Sequence, residues 1–92
     1  MDAYALVQTE VGKATDATFE AAKIDGVATA ETITGPYDVV LRMHGPDLAY
    51  LNGSVLARIQ EIEGVTRALT CVVVPHERRE LPYSLQAVGR VG

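Results

Sequence analysis

Two stretches of the chain repeat one another in register. Ile24-Asp25-Gly26-Val27-Ala28-Thr29-Ala30-Glu31-Thr32 aligns without a gap on Ile62-Glu63-Gly64-Val65-Thr66-Arg67-Ala68-Leu69-Thr70, so that Ile, an acid, Gly, Val, Ala and Thr recur in order. Each copy starts where a stretch of helical periodicity ends, passes a glycine suited to a left-handed cap, and enters a strand-like run. A helix stop followed by a strand, twice, implies two βαβ halves. The link between them at Gly35-Pro36 is too short for a crossover and predicts an antiparallel hairpin. The order β-α-β-β-α-β follows, a ferredoxin-like α+β fold: a four-stranded antiparallel sheet with two helices on one face.

The remaining elements fit that frame. Residues 3–8 (AYALVQ) read as a first strand without a polar face. A helix is predicted to start near Thr15 or Asp16, either of which can cap it, with Ala14, Ala17, Ala21 and Ile24 on one stripe. That stripe is mostly alanine, so the helix can lie close to the sheet. Phe19 points away from it as a candidate contact between subunits. Strands are predicted over 27–33, 37–43 and 65–74. Between the last two, Gly45-Pro46-Asp47 opens a second helix, and Leu48, Leu51, Val55, Ile59 and Ile62 form its apolar stripe. Gly53 interrupts that helix at a cost of about 1 kcal/mol relative to alanine.

A chain of 92 residues holds one core, assigned to residues 1–75, with 76–92 as a C-terminal tail. The strands read apolar on both sides, while two helices cover only one side of the sheet. The uncovered side is therefore expected to meet a second copy of the chain, giving a dimeric α/β sandwich. Residues 1–75 carry five Lys or Arg (Lys13, Lys23, Arg42, Arg58, Arg67) against ten acids, so no basic face is available for direct DNA binding. The lone Cys71 sits in a predicted strand, is expected to be buried as a small hydrophobe, and fits a cytoplasmic setting. No signal peptide is expected at the N-terminus, and no run reaches the roughly 20 apolar residues of a membrane span.

The stretch most suited to chemistry is 34–41 (TGPYDVVL). Gly35 frees the backbone and Pro36 fixes the next φ. Thr34, Tyr37 and Asp38 then flank a turn anchored to a buried strand, an arrangement suited to a small charged ligand. Alternatively, Asp38 only bonds nearby backbone amides, as turn aspartates do.

Together these features resemble the Lrp/AsnC family of transcription regulators, specifically its C-terminal effector-binding (RAM) domain. The likeness covers about residues 3–74. It rests on the Gly26-Val27 helix stop, on TGPYDVVL (34–41) followed by Asp47-Leu48, and on IEGVTRALTCVVV (62–74). The resemblance implies pairing of sheets into dimers, rings of dimers, and amino-acid effectors bound between dimers near the glycine turn. It places Thr34, Gly35, Tyr37, Asp38 and Thr70 in the pocket, with Asp38 on the ligand's ammonium, amides around Gly35 on its carboxylate, and no cofactor or metal. Family members carry an N-terminal helix-turn-helix for which this chain has no space, so it looks like a stand-alone effector domain that acts on transcription indirectly, by co-assembly with a full-length regulator. The tail, including Arg78-Arg79, has no counterpart in the shared pattern.

The same architecture also resembles small dimeric α+β barrel monooxygenases and isomerases, with a pocket inside the protomer. His44 and His76 follow the third and fourth strands as candidate bases. Their spacing matches no ligand motif, and no HExxH, CxxC, phosphate-loop or GxSxG pattern occurs. The reading is of a sensor and not an enzyme.

Overall fold

The computed structural model describes residues 1–74. It contains strands β1 (Asp2–Thr9), β2 (Val27–Thr32), β3 (Val39–His44) and β4 (Val65–Val72). Helix α1 (Ala14–Ala22) follows β1. A second helix, α2, follows β3 and runs through three segments: an α-helical turn Leu48–Tyr50, a π-helical stretch Leu51–Leu56 and a closing turn Ala57–Gln60. The sheet is four-stranded in the order β2-β3-β1-β4, and every pairing is antiparallel. This is the expected ferredoxin-like βαββαβ arrangement. The tail at 76–92, with His76 and Arg78-Arg79, lies outside the described residues.

The sequence echo is also a structural one. After α1, Lys23 N donates to Glu20 O, Ile24 N to Ala21 O and Val27 N to Ile24 O. After α2, Glu61 N donates to Arg58 O, Ile62 N to Ile59 O and Val65 N to Ile62 O, bond for bond the same exit. Gly26 (φ +100°) and Gly64 (φ +91°) turn the chain into the next strand in both copies. A Cβ at Gly26 would stand 2.6 Å from Val55 Cγ2, so the position also fixes how closely α2 approaches the helix exit.

The core lies between the helices and one face of the sheet. Ala3, Ala5 and Val7 of β1 and Val39, Leu41 and Met43 of β3 are buried in strict alternation, against Ala21 of α1 and Leu51, Val55 and Ile59 of α2. Ala17 and Ala21 are buried as the alanine stripe predicts, and Phe19 is 66% exposed.

Three local expectations need correction. Helix α1 has no side-chain cap from Thr15 or Asp16: it starts at Ala14 with Lys13 at its N-cap. A tight turn closes first, Lys13 N donating to Glu10 O, so the helix is under way before either residue can cap it. Strands β2 and β3 do not extend into 33–38, whose backbone is spent on a turn, and β4 ends at Val72. Cys71 is exposed rather than buried. It is in register with Tyr4, on the face opposite the core, where period-two alternation puts it.

Gly53 falls inside the π-helical stretch of α2, with nothing within 4 Å of where its Cβ would stand. The expected start of α2 holds: Asp47 is its N-cap, and Asp47 Oδ1 accepts from Tyr50 N at 2.8 Å.

Candidate functional site

The uncovered sheet face can be read from the register. Leu6 sits between Val40 and Leu69, and Tyr4 between Arg42 and Cys71. Glu31 lies beside Val40 and Thr29 beside Arg42. Leu6, Val40 and Leu69 are half-buried, and Tyr4 is 41% exposed. The face therefore carries a central apolar belt, with polar groups at both ends.

At one end Asp2, Arg42 and His44 cluster. His44 Nδ1 donates to Asp2 Oδ1 at 2.7 Å, and Arg42 Nη2 stands 3.8 Å from Asp2 Oδ2. The hydrogen bond from His44, helped by the nearby charges of His44, Arg42 and the N-terminus, holds the Asp2 carboxyl below its ordinary value.

At the other end the turn at 34–38 is latched to β1 by three bonds. Asp38 N donates to Val7 O at 2.9 Å. Thr9 N donates to Asp38 Oδ2 at 2.8 Å, so the carboxylate caps the end of the β1–β3 ladder. Gln8 Nε2 donates to Pro36 O at 2.9 Å, drawing the turn toward the uncovered face. Ile33 N closes the hairpin onto Asp38 O at 2.8 Å. Gly35 has φ +144°, a conformation other residues reach only with strain, and nothing lies within 4 Å of its Cβ direction.

Both readings of Asp38 thus have a counterpart. Oδ2 is committed to a backbone amide, as a turn aspartate would be. Oδ1 takes no hydrogen bond among the described residues, and the neighbouring Thr34 and Gly35 are exposed. Tyr37 and Asp38 are half-buried.

Thr34, Gly35, Tyr37 and Asp38 are brought together by chain continuity. Thr70 is not: it lies on β4, which β1 separates from β3. Thr70 pairs with Ala5, so it faces the helix layer, and its Oγ1 is buried without a hydrogen-bond partner among the described residues. Sequence reasoning missed Gln8 and Thr9, whose side chain and amide hold the turn. Their signal was their position at the end of β1, which says nothing of the turn until the topology is known.

Two open concavities on the protomer lie elsewhere. One, of about 880 Å³, runs over the helix layer beside Lys13, Phe19, Glu20, Ile24, Arg58 and Ile62. The other, of about 400 Å³, lies near His44, Gly45 and Tyr50. Neither is lined by residues 34–38. The turn stands at the rim of the sheet, open on the sides away from β1. Among the described residues no group of three or more His, Cys, Asp or Glu gathers as a metal site, and no helix is long and apolar enough to cross a membrane.

The domain is thus a ferredoxin-like α+β fold whose glycine turn is latched to β1. The Lrp/AsnC ligand binding domain family model matches residues 2–81, and the chain belongs to that family. That is a regulatory ligand-binding family and not one of enzymes. None of the curated proteins matches significantly in sequence.

Among solved structures, the protein TTHA0845 from Thermus thermophilus is 27% identical with a TM-score of 0.76, over 85% of this chain and 98% of that one. AsnC of E. coli superposes with a TM-score of 0.73 at 16% identity, over 88% of this chain and 55% of AsnC. The transcriptional regulator NMB0573 of Neisseria meningitidis, solved as a complex with L-Met, has a TM-score of 0.68 at 21% identity, over 92% of this chain and 58% of the regulator. The last two, at such low identity, show the shared fold.

Proposed function

We propose that this chain is a stand-alone effector-binding and assembly module: it senses an amino acid at contacts between dimers and modulates transcription indirectly, in the cytoplasm, by co-assembly with a full-length regulator. The observation that carries this reading is the latch on the turn. Asp38 is held in place through Oδ2 and keeps Oδ1 for a ligand, beside exposed Thr34 and Gly35. A preorganised carboxylate recognises an ammonium without the cost of ordering a loop.

In this reading Thr34, Gly35, Tyr37 and Asp38 form one wall. The other wall comes from a neighbouring copy. Pairing of the apolar belts around Leu6, Val40 and Leu69 makes the dimer, and rings of dimers bring the turns together. L-methionine is the first effector to try, since a regulator of the same fold was solved with it.

The test is thermal unfolding against each of the twenty amino acids, with light-scattering mass recorded on the same samples. A ligand at a hundred times its dissociation constant stabilises by about 2.7 kcal/mol. A selective shift with a change in mass, lost in Asp38→Asn, is the expected result. Flat melting curves for the whole set sink the sensor reading.

A further inference from the structure

We propose that the segment Leu81-Pro82-Tyr83 of this same chain docks across the end of the domain where β1 begins, β4 ends and α2 starts, and closes it as a strap. The inference is independent of the sensor reading, because this end of the sheet is the one opposite the turn at 34–38.

The core-facing stripes of three elements run past the buried core at this end. Along β1, Ala5 and Ala3 are buried, and Met1, next on the same face, is 46% exposed. Along β4, Val72 pairs with Ala3, and Val73 N donates to Asp2 O at 3.0 Å. Val74 therefore comes level with Met1 on that face, and it is 74% exposed. On α2, Leu51 is buried while Leu48, one turn earlier on the same stripe, is 40% exposed. Met1 and Gly45 exchange both backbone hydrogen bonds, which ties the start of β1 to the connection that opens α2. Three apolar side chains thus stand open at one end of the core, next to the concavity of about 400 Å³ at Gly45, Pro46 and Tyr50. Covering such surface is favourable in proportion to the area removed from water.

The sequence after Val74 supplies the occupant. The described chain ends at the patch itself, and Pro75 has no N–H with which to prolong a strand. The next large apolar residues are Leu81 and Tyr83. The seven residues from Val74 to Leu81 span up to about 23 Å when extended, whereas Met1 lies one strand spacing from Val74, about 5 Å. The family match does not stop with β4 but runs to residue 81, so the pattern of the domain includes the stretch that makes the return. Charge agrees with this. Residues 1–75 carry five Lys or Arg against ten acids, whereas 76–92 carry three Arg against two Glu, with Arg78-Arg79 just ahead of Leu81. Exposed Asp47, the N-cap of α2, stands at the same end, next to Leu48.

The experiment is made on the full chain. Nuclear Overhauser contacts of the Tyr83 ring are recorded on uniformly labelled protein and on a refolded mixture of labelled and unlabelled copies. Urea unfolding is measured for Tyr83→Ala, Leu48→Ala and the double variant. The expected contacts join Tyr83 to the methyl groups of Leu48 and Met1 within one copy. Tyr83→Ala is expected to raise the unfolding constant about tenfold, the order of burying one such side chain. That effect should shrink to about twofold or less when Leu48 is already alanine, because the two side chains share one contact. If Tyr83 shows no contact with this end and the two substitutions act additively, the docking is wrong. Contacts found only between labelled and unlabelled copies would assign the strap to a neighbouring copy and overturn closure by the same chain. Should Leu48→Ala fail to fold, the contacts of the wild type decide alone.

Discussion

Thr9 and Asp38, distant in sequence, are joined by a 2.8 Å hydrogen bond from the Thr9 amide to Asp38 Oδ2. The bond fixes the end of β1 and the position of the turn together, so that in the proposed reading one carboxylate serves both fold and ligand. Its two roles can be separated by substitution. Asp38→Ala removes the acceptor and leaves the Thr9 amide without its partner, and is expected to cost about 1–2 kcal/mol in urea unfolding. Asp38→Asn keeps a carbonyl oxygen for Thr9 and removes the charge. Its stability is expected within about 0.5 kcal/mol of wild type, while amino-acid binding is lost in both variants. Equal destabilisation by the two would show that the charge, and not the latch geometry, holds the turn.

Gly26 and Gly53 are both glycines at helices, yet alanine is expected to act on them with opposite signs. At Gly26 the φ of +100° and the approach of Val55 Cγ2 both oppose a Cβ. Left-handed backbone alone costs a non-glycine residue about 1–2 kcal/mol, so Gly26→Ala should destabilise by at least about that much. At Gly53 there is neither positive φ nor a neighbour within 4 Å of the new methyl. Alanine there restricts the unfolded chain and favours helix, a gain of about 0.5–1 kcal/mol. Chemical denaturation of the two variants checks the signs. A destabilised Gly53→Ala would mean that the π-helical stretch Leu51–Leu56 needs its glycine.

What the sequence made legible follows from what is local or periodic. The echo at Gly26 and Gly64 was readable because a left-handed helix exit needs a specific residue at a specific place, and both copies build it with the same bonds. The alternation of Ala3, Ala5 and Val7 against Tyr4 and Leu6 sets which side is core only once helices are assigned to a face. That is why Cys71 was expected inside: a run of apolar residues in β4 hides which of them face the helices. The start of α1 was misplaced because a turn closed by backbone atoms alone, Lys13 N to Glu10 O, leaves no side-chain signature at the cap. The site was legible only as far as the turn is contiguous. Gln8 and Thr9 reach the turn through the pairing of β1 with β3, and register is a property of the folded sheet.

The Asp2–His44 pair gives stability a small pH dependence with a definite sign. The Asp2 carboxyl is held below its usual 3.8 chiefly by the hydrogen bond from His44. A carboxyl depressed in the folded state stabilises it above the unfolded value, and that contribution is lost as pH falls through the lowered folded value. Wild type should therefore melt above Asp2→Asn at about pH 5, and the two curves should converge as pH drops below about 3.8. Screening at this exposed site keeps the effect small and makes it shrink with added salt. A difference that is unchanged from about pH 5 down to about pH 2 would mean that the asparagine acts through packing and not through charge.

Leu69 offers the sharpest test of sheet pairing, because it lies on the uncovered face beside Leu6 and takes no part in the protomer's buried core. In an isolated protomer Leu69→Glu exchanges one half-exposed apolar side chain for a solvated one, and such surface changes usually stay within about 0.5 kcal/mol. In a dimer that seals the belt, each copy places a carboxylate in an apolar centre without a partner, at a cost of several kcal/mol per charge. Light scattering and sedimentation at micromolar concentration should therefore show a shift to monomer, with the circular dichroism of the fold retained. Phe19→Glu, on the outward side of α1, should leave the dimer intact, because its face is remote from the belt. If Phe19→Glu dissociates the dimer and Leu69→Glu does not, the copies meet through their helices.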